Sequence, residues 1–157
     1  KDLTPQDIYD EKYKPKSDPD AVAWISGSWI YFSSYTTAED GSKKAVGNVV
    51  SYDTAGNYTL SAYTFTATAD ENGVYTWTAA SNGSASGTYI YSANEMHMTG
   101  SSETRTVTIP QGGDSVSVSG LDKIMSSAPD GTASQIMYRL ASTDDASLCA
   151  KIVEIFG

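Results

Sequence analysis

Turn chemistry punctuates this chain at short, regular intervals, and that spacing limits the folds open to it more than any other feature. Glu39-Asp40-Gly41-Ser42, Thr54-Ala55-Gly56-Asn57, Asp70-Glu71-Asn72-Gly73, Gln111-Gly112-Gly113-Asp114 and Pro129-Asp130-Gly131-Thr132 each join a turn-forming Asp, Asn, Gln or Pro to a glycine or small residue. Between them lie segments rich in Val, Ile, Thr, Tyr, Phe and Trp, predicting strands over 24–35, 45–53, 58–68, 74–80, 87–93, 96–99, 105–109, 115–119 and 133–141, with 81–86 as a small-residue loop. Parallel strands need crossovers of a dozen or more residues, and the strands here are joined almost entirely by shorter links. The fold class is therefore all-β, an antiparallel up-and-down meander. Closure removes exposed edges, so a barrel of about eight strands is the expected form.

At 157 residues the chain divides into an N-terminal arm at 1–20, a β-domain at 21–143 and a C-terminal segment at 144–157. Thr4-Pro5-Gln6-Asp7 has the form of a helix start, with a capping Thr, a Pro at the first position and an acid in the first turn. Such a helix would run until Pro15; a mobile leader is the other outcome compatible with these residues. Asp144 and Asp145 precede a segment in which Leu148, Ile152 and Ile155 share one helical face, predicting a short amphipathic C-terminal helix with a carboxylate cap. Cys149 lies beside that stripe and is expected to be a small buried hydrophobe.

Ten Lys and Arg against nineteen Asp and Glu leave a net charge of −9, which argues against nucleic acid or an anionic membrane surface as partner. No run approaches the ~18 apolar residues that a membrane-spanning helix requires, so membrane insertion is not expected. One cysteine excludes an internal disulfide, and Ser and Thr together number 39 against 29 charged residues, a balance common in extracellular β-proteins. The chain begins at Lys1, consistent with removal of an export signal or lipid anchor, with the arm then serving as tether.

Several strands alternate aromatics with Thr or Ser. Tyr75 and Trp77 alternate with Thr76 and Thr78, Tyr89 and Tyr91 with Thr88, Ile90 and Ser92, and Tyr63 and Phe65 with Thr64 and Thr66. Thr tolerates water on a strand, so the aromatic phase is expected to face inward. Tyr63, Phe65, Tyr75, Trp77, Tyr89, Tyr91, Met96 and Met98 would then line an apolar lumen with scattered hydroxyls, as a small-molecule pocket requires. A barrel filled solid by the same rings is the alternative outcome.

Gly27-Ser28-Trp29 on the first strand and Arg139, within Met137-Tyr138-Arg139-Leu140 on the last, resemble the signature residues of lipocalins. The segments Tyr52-Asp53-Thr54-Ala55-Gly56-Asn57-Tyr58 and Gly87-Thr88-Tyr89 are similar to hairpins of bacterial lipocalin-like proteins in the calycin group. The resemblance spans roughly residues 22–142. It implies a lipocalin-like β-barrel in which the arginine of the last strand packs over the tryptophan of the Gly-x-Trp triplet and bonds backbone at the closed end. Gly27, Trp29 and Arg139 are structural residues in that scheme.

Little in the chain points to catalysis. His97 is the only histidine, so a zinc site built on histidines cannot be assembled, and a triad would have to use His97 with Glu95 or Glu103. Neither Asp70-Glu71-Asn72 nor Asp144-Asp145 follows calcium-loop spacing. No metal and no cofactor are expected. The resemblance implies non-catalytic binding and transport of a small, largely apolar ligand by a bacterial protein that is secreted, periplasmic or anchored to the outer membrane as a lipoprotein. The alternative is an extracellular glycan-binding or adhesion module that uses exposed Tyr and Trp.

Overall fold

A computed structural model describes residues 16–100, 104–119 and 134–157. A short helix, α1 (Pro19–Ile25), leads into eight strands, β1 (Gly27–Thr37), β2 (Lys43–Tyr52), β3 (Asn57–Ala69), β4 (Tyr75–Ser92), β5 (Glu95–Gly100), β6 (Thr104–Thr108), β7 (Ser115–Ser119) and β8 (Ser134–Leu140), and the chain ends in α2 (Asp145–Phe156). The arm helix expected before Pro15, the turn at 129–132 and Glu103 lie outside the described residues.

Each strand pairs antiparallel with the next, and β8 returns to pair with β1 through Ser28↔Leu140 to Tyr31↔Met137. The order of neighbours is thus cyclic; among the described residues β6 and β7 share one paired position, Thr108↔Ser119. The result is a curled antiparallel meander of eight strands, short of the fully closed barrel expected from the connectivity.

The turns form where their residues demand. Asp40 Oδ1 accepts from Ser42 N at 2.8 Å, Asp53 Oδ1 from Ala55 N and Asn57 N at 2.9 and 2.8 Å, and Asp70 Oδ1 from Asn72 N and Val74 N at 2.8 and 2.9 Å. In each case a carboxylate substitutes for a backbone acceptor and bends the chain, and a glycine at positive φ (Gly41, Gly56 or Gly73) completes the turn. The Ser42 hydroxyl, with its amide, at Asp40 and the Asn57 amide at Asp53 favour the charged form and lower both carboxyls below the usual range.

Two segments depart from the sequence expectation. Residues 24–26 are not strand. Asp18 caps α1 by accepting from Asp20 N at 3.0 Å, Pro19 occupies the first turn, and the helix carries Trp24 at its end. The supposed loop at 81–86 is continuous strand, so two expected strands are one, β4, of 18 residues. Its small residues pair with β3 throughout, and the register shifts between Ala62 and Tyr63 because Asn82 is an extra residue on the β4 side.

That bulge decides which side chains point where. The interior cluster draws residues from every strand and from α1: Trp29, Tyr31, Val50, Tyr52, Tyr58, Leu60, Tyr89, Tyr91, Met96, Met98, Val107, Val116 and Met137, with Ala21 and Ile25 of the helix. A second cluster, on the convex side, holds Ile30, Ala45, Val49, Phe65 and Leu140 beneath Leu148 and Ile152 of α2. The middle of β2 is therefore covered on both faces, and Gly47, Asn48, Val49 and Val50 are all buried in sequence. Asp144 caps α2 by accepting from Ser147 N at 2.7 Å. At its far end Phe156 stacks on Tyr35, with centroids 4.2 Å apart, and meets Phe32 edge-on.

Candidate functional site

The interior is closed at one end by α1. Trp29, fully buried, donates its indole N–H to Ile25 O at 2.9 Å, which seats the ring under the helix. Arg139 lies opposite Trp29 in the β1–β8 register. Its guanidinium is 4.1 Å from the Trp29 centroid and 5.9 Å from that of Trp24, and it donates to Trp24 O at 2.6 Å and Ser26 O at 3.2 Å. The fork therefore satisfies carbonyls at the C-terminal end of α1 while its flat face covers the indole. Gly27 (φ +113) makes the corner between helix and strand, where a Cβ would lie 3.5 Å from the guanidinium. The N-terminal end of α1 is stitched to the part of β4 that extends past β3: Asp18 N donates to Tyr91 O at 2.9 Å, and Tyr91 N to Ser17 Oγ at 3.0 Å.

Above this floor the wall is rich in tyrosine. Tyr52 and Tyr89 meet edge-on at 5.0 Å, Tyr52 OH points at Met98 Sδ at 3.8 Å, Tyr89 OH donates to Asp53 O and Tyr91 OH to Ile109 O. Burial disfavours the phenolate, so the pKa of Tyr52 and Tyr89 is raised and that of Tyr91 is pushed up to about 12; Tyr31 and Tyr89 add to the effect at Tyr52.

One side of the interior is built differently. Along the rows that cross the sheet, Asn48 of β2 pairs with Ala62 of β3, which pairs with Gly83 of β4, and Leu60 pairs with Ala85. These positions share the inward phase of Val50, Tyr58 and Tyr89. Ala85 is nonetheless exposed, and a Cβ on Gly83 would meet nothing within 4 Å. A strip of small residues, Ala62, Gly83 and Ala85, thus leaves open space on the inward face of the sheet.

The eight residues expected to line one lumen do not converge. Tyr89, Tyr91, Met96 and Met98 belong to the interior cluster, whereas Phe65, and with it Tyr63 and Trp77, belong to the convex cluster under α2. Tyr75 stands more than a third exposed at the hairpin end of β4, with the Lys43 ammonium 4.6 Å from its ring centroid. On β3 the inward phase is that of Tyr58, Leu60 and Ala62, so Tyr63 and Phe65 face out. On β4 the extra residue Asn82 inverts the phase, so Tyr75 and Trp77 face out while Tyr89 and Tyr91 face in. Tyr63, Phe65, Tyr75 and Trp77 are therefore corrected to the outer side. In exchange, Trp29, Tyr31, Tyr52, Tyr58 and Leu60 are interior residues that the aromatic-against-Thr alternation did not select. Asn48 was not selected either. A lone amide inside the apolar run Val46 to Val50 was the available signal.

His97 points away from the interior. Its Nε2 lies 3.3 Å from Glu95 Oε2 and its Nδ1 3.2 Å from Thr106 Oγ1, which lines up carboxylate, imidazole and hydroxyl on an exposed strand face. The ladder engages the neighbouring backbone amides of β4, β5 and β6. Among the described residues no cluster of three or more His, Cys, Asp or Glu is placed to hold a metal, and no helix is long and apolar enough to cross a membrane.

On the convex side a groove of about 220 Å³ runs between the end of α2 and the strand tips, lined by Tyr35, Lys43, Tyr75, Trp77, Ile152 and Phe156. A cleft of about 370 Å³ lies at the far ends of β1, β2 and β3, among Thr36, Ser42, Lys44, Thr66 and Thr68. Compared with known proteins, the chain matches no family model and no curated sequence.

Proposed function

We propose that this protein is a non-catalytic, lipocalin-like binder of a small, largely apolar molecule held inside the curled barrel. The observation that carries the reading is the small-residue strip Ala62, Gly83 and Ala85, which leaves open space on the inward face of a sheet that elsewhere presents tyrosine and methionine on that face. An apolar wall with a few placed polar atoms is the usual chemistry of a ligand pocket. The floor formed by Gly27, Trp29 and Arg139 at one end supports the lipocalin-like assignment. A carrier of this kind would act in the bacterial envelope or outside the cell, in keeping with the acidic, Ser- and Thr-rich composition.

The test is binding of the neutral dye N-phenyl-1-naphthylamine, whose emission rises in apolar surroundings. The wild type should enhance the emission, and Ala85→Phe, which fills the strip, should remove the enhancement while the circular dichroism spectrum is kept. Enhancement that survives Ala85→Phe unchanged would place binding elsewhere.

A second reading is favoured by the groove beside α2. Tyr35, Tyr75, Trp77 and Phe156 there offer ring faces at the surface, as a glycan-stacking platform requires, with Lys43 available to hydroxyls. Quenching separates the two readings. A ligand in the groove shields Trp77 from acrylamide, whereas one in the lumen leaves Trp77 quenching unchanged.

A further inference from the structure

Asn48 is 3% exposed and is the one non-aromatic polar side chain buried to this degree among the described residues. Its Oδ1 is buried and accepts no hydrogen bond from any donor among the described residues. Buried polar atoms are almost always paired, and an unpaired carbonyl weakens a fold, so an exception in a strand core points to a partner outside the chain. The surroundings fit such a partner. Asn48 stands between Tyr31 and Ala62 in the paired rows, and beyond Ala62 lies Gly83 with open space before it. On the opposite face of β2, Val49 is packed in the convex cluster, which fixes the strand and holds Asn48 inward.

We propose that Asn48 is the polar anchor of the lumen and that the ligand is an apolar ring or chain carrying a hydrogen-bond donor, a hydroxyl or an N–H, which it gives to Asn48 Oδ1. This rests on the lumen reading above and adds the ligand's chemistry to it. The apolar body lies along Ala62, Gly83 and Ala85, and the donor reaches the amide at the edge of the strip.

The probes are 1-naphthol and 1-methoxynaphthalene, which share the ring system and differ in the donor, titrated calorimetrically into the wild type and Asn48→Leu. The wild type should prefer the naphthol by about tenfold, the worth of one buried hydrogen bond, and Asn48→Leu should bind both equally. Equal affinity of the wild type for the two, or a preference that survives Asn48→Leu, overturns the anchor but leaves the lumen reading standing. Binding of neither to the wild type overturns both.

A ligand-independent readout accompanies the titration. Asn48→Leu removes an unpaired buried amide, so the melting temperature of the empty protein should rise by roughly 2–6 °C. A fall would show that the amide is paired within the fold and would sink the proposal. Should the leucine variant fail to fold, Asn48→Val, smaller and suited to a strand, is read by the same two measures.

Discussion

Replacing Arg139 with Ala tests how the closed end is held. The guanidinium donates at 2.6 and 3.2 Å to two carbonyls at the end of α1 and stacks 4.1 Å over Trp29, with its side chain 27% exposed. Hydrogen bonds made by a charged group contribute about 1.5–3 kcal/mol each when shielded, and the stacked cation contributes about 0.5–2 kcal/mol. The partial exposure of the side chain puts each contribution near its lower end, for a total of roughly 3–4 kcal/mol. The nearby Asp114 adds little, because it is 94% exposed and its oxygen is 3.7 Å away. For a domain of this size the loss corresponds to a fall in melting temperature of roughly 6–15 °C. Thermal unfolding followed by near-ultraviolet circular dichroism, which reports the Trp24–Trp29 pair, is the assay. Arg139→Lys keeps the charge but loses the planar fork, so it should recover less than half of the loss. If Arg139→Ala melts within about 2 °C of the wild type, the closed end is held by something else.

Leu148→Ala, which removes a fully buried contact between α2 and the convex face, should cost about 2–4 kcal/mol in chemical denaturation; a cost under about 1 kcal/mol would mean that the helix is not docked in solution. The buried tyrosines set the alkaline limit. Their folded-state pKa values lie above the usual ~10, so the stability they contribute is complete below about pH 10 and is lost as pH rises through the folded values, about 12 for Tyr91. Tyrosinate absorbance should therefore show a late phase coinciding with loss of the β-sheet signal, and a titration finished near pH 10 with the sheet intact would contradict this. His97→Ala should leave dye binding unchanged, since the imidazole faces outward against Glu95 and Thr106. A loss of binding would bring that face into the site.

Much of this was legible in the chain. Asp40, Asp53 and Asp70 announce their turns because the side chain itself makes the turn, so local sequence suffices. Leu148 and Ile152 announce α2 because helical spacing is also local. Helix α1 was hidden in a Pro- and Asp-rich stretch that reads as linker, although Asp18-Pro19 is a sound helix start. The continuity of β4 was not legible, because residues 81–86 are small and carry no alternation, and only their pairing with β3 makes them strand. The site suffered most from that gap. A single added residue, Asn82, turns Trp77 outward and Tyr89 inward, and no local pattern records which of two strands bulges. Met96 and Met98 were legible because their short strand has no irregularity.

The central claim is that the interior takes up a small apolar molecule, and native mass spectrometry of freshly purified protein, with identification of anything released on denaturation, tests it most directly. The account predicts a one-to-one adduct whose released component is apolar with a hydroxyl or N–H, and which is absent from Ala85→Phe. A clean apo mass that persists after incubation with hydrophobic metabolites and lipids would contradict it, and would move the function to the convex groove around Trp77.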